Sequence, residues 1–405
     1  MSAGILTILR ADCFHGGMNR TLCLLLTCAV SAGCATTSPA PPVQPVVPST
    51  PTAAAVPQRA YGGESSRSAM NTLMQQPFSD TQEIDILYAT NRTPGSDLSE
   101  CDDAAYGVEP SARMSYGLCR VSVPKRHGVG GFEKAPNPRA DPHKYFRSTL
   151  HEPLDENGFK ERLKAKAPSD ILVFMHGFNV KYEEAVLRSA QIAYDLKFQG
   201  QVVLFTWPAG SGTGLLDGTL INRTYDVNKA NAANSLPQAA AFFRMLMDLG
   251  LTSHVMVHSM GHQVALPALA QAAAAPDAHR FIGELVLNAP DIPLKDFQRL
   301  APKVRKLAER ITVYCSYNDN AIAASESYNK GRRMGGCERV DGVDVVNVGE
   351  IDAPAMGIVG LGHSYYSSRP ILTDLFQLLL GMDAERRLFI RKSEPGGTEN
   401  FYLRP

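Results

Sequence analysis

His254-Val-Met-Val-His258-Ser259-Met260-Gly261-His262 is the stretch that decides the fold of this chain. Its first five residues form a short strand-like run and Val264 to Ala273 reads as a helix, so Ser259 stands where a buried strand gives way to a helix. A tight turn there lifts the serine hydroxyl beside the helix N-terminus, whose free N–H groups favour developing negative charge. Serine is a poor nucleophile until a base takes its proton, so such a turn needs a base and an orienting acid from elsewhere in the chain.

Upstream, Ile171-Leu-Val-Phe-Met175 is a continuous apolar run of the buried-strand type, ending at His176-Gly177-Phe178-Asn179. A helix is predicted over Tyr182 to Leu196, with Val186, Ala190, Ala193 and Leu196 on one face. Val202-Val-Leu-Phe-Thr206 is the next strand, closed by Trp207-Pro208, and a helix from Ser235 to Leu249 leads into the central stretch. Ile84 to Ala89 and Cys119 to Pro124 read as earlier strands joined by a long loop rich in Gly, Asp and Pro. Downstream come strands at Glu284-Leu-Val-Leu-Asn288, Arg310-Ile-Thr-Val-Tyr314 and Val343 to Val348, then a helix over Ile371 to Leu380. This alternation predicts an α/β fold, a mostly parallel twisted sheet flanked by helices. Residues 209–234 show no clear period and exceed a simple strand-to-helix loop, so a lid-like insertion or binding loop is expected there.

The chain supplies candidates for the missing base and acid. His363, in Gly360-Leu-Gly-His-Ser-Tyr, lies in a glycine-flanked loop past the last strand, from which an imidazole can return over the sheet edge to Ser259. Asp291 ends the strand after the serine, in Asn288-Ala-Pro-Asp, and Asp319 ends the next one, in Ser316-Tyr-Asn-Asp. A metal reading competes for three histidines: His254, His258 and His262 recur at intervals of four and on one helix would share a face. Val255-Met-Val is strand-like and Gly261 follows at once, so one helix is not expected to hold all three. No metal and no cofactor is therefore expected, and His258 and His262 are expected to pack around the turn.

Residues 82–380 resemble a bacterial, esterase- or lipase-like family of the α/β-hydrolase superfamily, largely of uncharacterised function. The likeness rests on Tyr88-Ala-Thr-Asn-Arg, His176-Gly-Phe-Asn, His258-Ser-Met-Gly, Ala289-Pro-Asp, Tyr317-Asn-Asp and Gly362-His-Ser-Tyr. It implies the α/β-hydrolase fold, a triad in the chain order Ser, Asp, His, and an oxyanion hole from the backbone N–H groups of Phe178 and Met260. The superfamily pattern around the nucleophile is G-x-S-x-G, and Val257 stands here in place of the first glycine. The superfamily's usual acid comes from the second strand past the nucleophile, which implies Asp319, with Asp291 in reserve. The implied triad is Ser259, Asp319 and His363; the resemblance implies no substrate.

The chain has 405 residues, 44% hydrophobic and 20% charged, enough apolar material for one large core or two modest ones. Lys plus Arg and Asp plus Glu each number 40, so no global field draws the protein to nucleic acid. Arg20, the apolar run Leu22 to Val30 and Ser31-Ala-Gly-Cys34 resemble a bacterial lipoprotein signal with Cys34 as the lipidated residue. The run falls short of the roughly 20 residues of a spanning helix, which favours cleavage over an uncleaved anchor; an ordinary cleaved signal is the other competing reading. Residues 1–17 do not fit the front of such a signal, so translation is expected to start at Met18. Ala35, where an acidic residue would retain the product in the inner membrane, points to an outer-membrane lipoprotein facing the periplasm, with secretion as the alternative.

The expected organisation is a signal over 1–34, a disordered Pro/Ala-rich tether over 35–80, a catalytic domain over 81–395 and a tail over 396–405. Of eight cysteines, Cys13, Cys23 and Cys28 fall in the leader and Cys34 would carry lipid. The remaining couples, Cys101 with Cys119 and Cys315 with Cys337, suit disulfides in an oxidising compartment; four buried free thiols are the alternative. Together these features predict a serine hydrolase that cleaves carboxylic esters, in a small molecule, lipid or polymer, through an acyl-enzyme at Ser259. A peptidase or amidase could use the same triad, and a non-catalytic envelope-binding lipoprotein could retain the fold. Membrane contact is expected only through the lipid anchor, and the sequence sets no oligomeric state.

Overall fold

The structure, a computed structural model, describes residues 81–124, 127–131, 133–137, 139–165, 170–211, 218–351 and 362–405. The expected signal, the lipidation residue Cys34 and the tether lie outside these residues.

The strands are β1 (Thr81–Pro94), β2 (Tyr106–Pro124), β3 (Arg147–Leu154), β4 (Ile171–Met175), β5 (Gln201–Thr206) and β6 (Ser253–His258). They continue as β7 (Ile282–Asn288), β8 (Ala308–Cys315), β9 (Asp344–Asn347), β10 (Ile390–Lys392) and β11 (Phe401–Leu403). Together they make one sheet in the order β10-β11-β9-β8-β7-β6-β4-β5-β1-β2-β3. From β1 to β11 across the centre every pairing is parallel. The edge strands β2, β3 and β10 pair antiparallel. This is the α/β-hydrolase arrangement the sequence implied.

Parallel strands are joined by crossovers, and the crossovers cover both faces, which is why β4, β5 and β6 are buried along their whole length. The helices are α1 (Glu156–Ala165), α2 (Tyr182–Asp195), α3 (Gly218–Asn234), α4 (Leu236–Asp248) and α5 (His262–Ala272), then α6 (Leu294–Val304), α7 (Asn320–Asn329) and α8 (Arg369–Leu379). Alternate residues of a strand point to opposite faces, and β4 divides accordingly. Val173 and Met175 enter a core with Phe243 and Leu246 of α4, Val264 and Leu269 of α5, and Phe297 of α6. Leu172 and Phe174 enter the other with Val186 and Ala190 of α2 and Ile371 and Leu375 of α8. Among the described residues no helix is long and apolar enough to cross a membrane.

One expectation needs correction. Within the segment expected as an irregular lid-like insertion, residues 218–234 form the helix α3. Its buried stripe is partly polar, with Asn228 and Asn231 beside Ala232, and an apolar period is therefore faint in the sequence. Within the span expected as a tail, Phe401–Leu403 pairs with β9 and β10, and Leu403 is fully buried. Both cysteine couples are disulfides, Cys101–Cys119 and Cys315–Cys337.

Candidate active site

β6 runs through the middle of the sheet between β4 and β7, and Ser259 is the first residue beyond it. His258 is still extended, with φ −122° and ψ 136°, whereas Ser259 has φ +53°. This left-handed conformation costs a residue with a Cβ and persists only where its surroundings enforce it. The chain then enters a 3₁₀ turn, Ser259–Gly261, and α5 directly, so the serine sits at the apex of a sharp elbow.

Two glycines make that elbow possible. A Cβ on Gly261 would lie 2.4 Å from the carbonyl oxygen of His176, and a Cβ on Gly177 would lie 2.6 Å from Ser259 Cβ. The loop after β4 therefore touches the elbow nearly backbone to backbone, an approach open only to glycine. Crowding falls on Gly261, while Val257 packs in the strand core, so the position where the superfamily has its first glycine tolerates valine.

The three residues read as a triad meet. His363 Nε2 lies 2.7 Å from Ser259 Oγ, and His363 Nδ1 lies 2.8 Å from Asp319 Oδ2. A carboxylate only accepts, so Nδ1 carries the hydrogen and Nε2 is left to accept from the serine hydroxyl. Asp319 is itself held: its Oδ1 accepts the N–H groups of Ala321 and Ile322, both at 3.0 Å, capping α7. Burial alone would push the His363 pKa down. The charge and hydrogen bond of Asp319, helped by the charge of Asp291, outweigh it and leave the pKa above its ordinary value.

Asp291, the reserve acid, is engaged elsewhere. Its Oδ1 accepts from Ser325 Oγ at 2.6 Å, its Oδ2 accepts from Tyr225 at 2.9 Å, and Arg333 Nε lies 3.4 Å from Oδ1. It stays close to the elbow through its backbone, whose N–H donates to the Ser259 carbonyl at 3.3 Å.

The three regularly spaced histidines sit on a strand and on the next helix with separate partners. His254 faces Asp170 at 3.4 Å and accepts the Glu284 N–H at 3.2 Å. His258 Nε2 donates to the His363 carbonyl at 3.2 Å, and its ring lies 4.1 Å from that of Tyr366. His262 Nδ1 donates to the Ser259 carbonyl at 2.6 Å. Burial pushes the pKa of His258 well below its ordinary value and that of His262 down to about 3, so both are neutral braces. Cys101, Cys119 and His151 bring ligand atoms within 4.8 Å of one another, but both sulfurs are committed to a disulfide.

Three supporting residues were given no role by sequence reasoning. Arg92, fully buried, donates from Nε to Thr206 Oγ1 at 2.9 Å, from Nη1 to the carbonyls of Gly107 at 3.1 Å and Ala209 at 2.8 Å, and from Nη2 to the Val180 carbonyl at 2.8 Å. It thereby fastens the ends of β1 and β5 to the loop after β4; its only signal was the motif Tyr88-Ala-Thr-Asn-Arg. Tyr225 and Asn228 of α3 reach the same loop. The ring of Tyr225 lies 5.8 Å from that of Phe178, and Asn228 Oδ1 accepts the Asn179 N–H at 3.0 Å. Met260 and Phe178, the two residues expected to offer oxyanion donors, follow Ser259 and Gly177 directly.

Residues 152–382, over half of the chain, match the family described as "Alpha/beta hydrolase of unknown function (DUF900)". No curated protein matches the sequence. Among solved structures, a PEG-bound cold-adapted esterase from an Arctic intertidal metagenomic library is similar over 67% of this chain and 86% of its own. Its sequence identity is 13% and its TM-score 0.30.

Proposed function

The chain belongs to this α/β-hydrolase family, and on that premise we propose that it is a serine hydrolase cleaving carboxylic esters through an acyl-enzyme at Ser259. The observation that carries this reading is the unbroken series of contacts from Ser259 Oγ through His363 to Asp319, at 2.7 and 2.8 Å. In the acylation step Ser259 Oγ attacks the ester carbonyl carbon while His363 Nε2 takes its proton. Negative charge gathers on the carbonyl oxygen, and in this reading the N–H groups of Met260 and Phe178, the residues next to Ser259 and Gly177, receive it. The bond to the alcohol oxygen then breaks, with His363 returning the proton to the leaving group. Water, deprotonated by the same nitrogen, attacks the acyl carbon, releases the carboxylic acid and restores the serine. Asp319 stays ionised throughout and steadies the imidazolium.

The same reading puts the enzyme in the bacterial envelope, held by lipid on Cys34 at the end of the 35–80 tether. Support comes from the N-terminal sequence and from two disulfides, which suit an oxidising compartment. A fluorophosphonate probe should label Ser259 covalently, and Ser259→Ala should abolish labelling and turnover together. Labelling that persists in the alanine variant would move the nucleophile elsewhere. A panel of esters, thioesters and peptides on the purified protein then separates esterase from amidase. Membrane fractionation of Cys34→Ala tests the anchor.

A further inference from the structure

The helix α3 is fastened to the loop after β4 at two points. Asn179, immediately after Phe178, holds a left-handed φ of +56°, and its N–H donates to Asn228 Oδ1 at 3.0 Å. That same oxygen accepts the Gly210 N–H at 3.1 Å, and Asn228 Nδ2 donates to the Gly210 carbonyl at 2.9 Å. Asn228 is 0% exposed, and one side-chain amide thus joins three segments: α3, the loop after β4 and the loop after β5. One turn earlier, the Tyr225 ring packs against Phe178 while its hydroxyl donates to Asp291, whose backbone N–H reaches back to Ser259. From the other side Gly177 presses on Ser259.

We infer that Asn228 is a positioning residue, which through the Asn179 N–H holds the peptide after Phe178 and so sets the backbone of Phe178, turning its own N–H toward the developing oxyanion. The inference rests on the serine-hydrolase reading and adds a residue to it. A side-chain amide is suited to the task because it accepts two N–H groups and donates to one carbonyl at once. Alanine would leave the buried N–H and carbonyl of Gly210 and the half-buried Asn179 N–H without this partner. Donor geometry at an oxyanion hole matters because a misplacement of about 1 Å can cost about 10²-fold in rate.

The test uses the full chain and a fluorophosphonate. In this reaction a bond forms from Ser259 Oγ to phosphorus, the phosphorus–fluorine bond breaks, fluoride leaves, and the serine proton passes to His363 Nε2. Charge builds on the phosphoryl oxygen as on an ester carbonyl, so the second-order labelling rate reads the oxyanion hole without a known substrate. Asn228→Ala should slow labelling about 10- to 100-fold. The control is Asn231→Ala, one turn along the same helix, where Nδ2 donates to the carbonyls of Val108 at 3.1 Å and Pro208 at 2.8 Å without touching residues 177–179. It should lower stability comparably yet label within about twofold of wild type, since none of its side-chain hydrogen bonds reaches the loop after β4.

The pH midpoint of labelling should be unchanged in Asn228→Ala, because His363 and Asp319 are untouched. Asn228→Asp keeps the acceptor for Asn179 and should label faster than Asn228→Ala. Equal slowing in both alanine variants, wild-type labelling in Asn228→Ala, or a shifted midpoint would overturn the assignment. Should Asn228→Ala fail to fold, the aspartate variant decides: labelling as fast as Asn231→Ala supports the assignment, and slower labelling overturns it. A wild-type chain that takes no label at Ser259 would instead sink the hydrolase reading, and the inference with it.

Discussion

Tyr225 donates its hydroxyl hydrogen to Asp291 Oδ2 at 2.9 Å, and with Ser325 Oγ on Oδ1 at 2.6 Å both oxygens of that carboxylate are engaged away from His363. The two aspartates at successive strand ends have thereby taken different work. Asp319 faces the imidazole, whereas Asp291 ties α3 and α7 to the loop beyond β7 and lies beside the buried guanidinium of Arg333.

Opposite responses follow when each is neutralised. Asp319→Asn retains a helix-capping oxygen, so the fold should hold, and turnover should drop by about 10⁴, the loss seen when a serine-protease triad acid is neutralised. Asp291→Asn leaves Arg333 buried without its counter-charge and should cost about 3 kcal/mol or more of stability while sparing most of the turnover. Thermal melts and kcat at matched folding distinguish the two; a crippled but stable Asp291→Asn beside a nearly normal Asp319→Asn would reverse the roles.

A second prediction concerns pH. In the proposed mechanism His363 serves as general base only when neutral, and its pKa is raised because the charge and hydrogen bond of Asp319 outweigh burial. Activity should therefore fall as pH drops through a midpoint above about 6.5, the value of an unperturbed histidine. Burial holds His176 and His262 near a pKa of about 3 and His258 well below its ordinary value, so none of them should contribute to this limb. In Asp291→Asn the limb should move toward lower pH, since that charge also raises the His363 pKa. The profile of kcat/KM, which reports free-enzyme pKa values, checks both; a midpoint below 6.5 in the wild type would contradict the assignment.

The same shifts fix the sign of the stability changes. His363 adds stability that is full below about 6.5 and is lost as pH rises through its raised folded value. His176 and His262 act the other way. Below about 6.5 the unfolded chain takes up protons that the folded chain refuses, so each should remove about 1.4 kcal/mol per pH unit down toward 3. Acid unfolding should accordingly shift to lower pH in His262→Gln, and an unchanged midpoint would count against a neutral His262.

What could be read from the sequence divides along physical lines. The strand β4 is wholly apolar, and β6, β7 and β8 each carry a short apolar run through their buried middle, because the sheet is covered on both faces there, and such runs announce themselves. That Ser259, Asp319 and His363 meet was legible because each sits at a strand end or glycine-flanked loop in a fixed chain order. The helix α3 was not, because Asn228 and Asn231 face inward to bond loop backbones, and burial satisfied by hydrogen bonds leaves no hydrophobic period. Arg92 was similarly silent, since a buried guanidinium satisfied by carbonyls and a threonine hydroxyl depends on segments far apart in the chain. The strands β10 and β11 have three residues each, too few for any alternation to show.

The last prediction separates the two disulfides, which close sequence separations of 18 and 22 residues. By loop length alone each should contribute about 3 kcal/mol, so removing either should lower the melting temperature by a similar amount. Their positions differ. Cys315 ends β8 four residues before Asp319, and Cys337 closes a turn whose backbone holds both acid-bearing loops. In that turn Gly335 accepts from Ser316 N–H at 3.2 Å and donates to the Pro290 carbonyl at 2.9 Å, and Met334 N–H donates to the Ile292 carbonyl at 3.1 Å. Cys101–Cys119 instead ties the segment after β1 to β2, four positions from β6 in the sheet. Cys315→Ala with Cys337→Ala should thus lower kcat as well as stability, because the Asp319 carboxylate loses its fixed approach to His363. Cys101→Ala with Cys119→Ala should lower stability alone. Melting curves and kcat for the two double variants decide, and equal kcat values would show that the bridge after β8 does nothing for the acid.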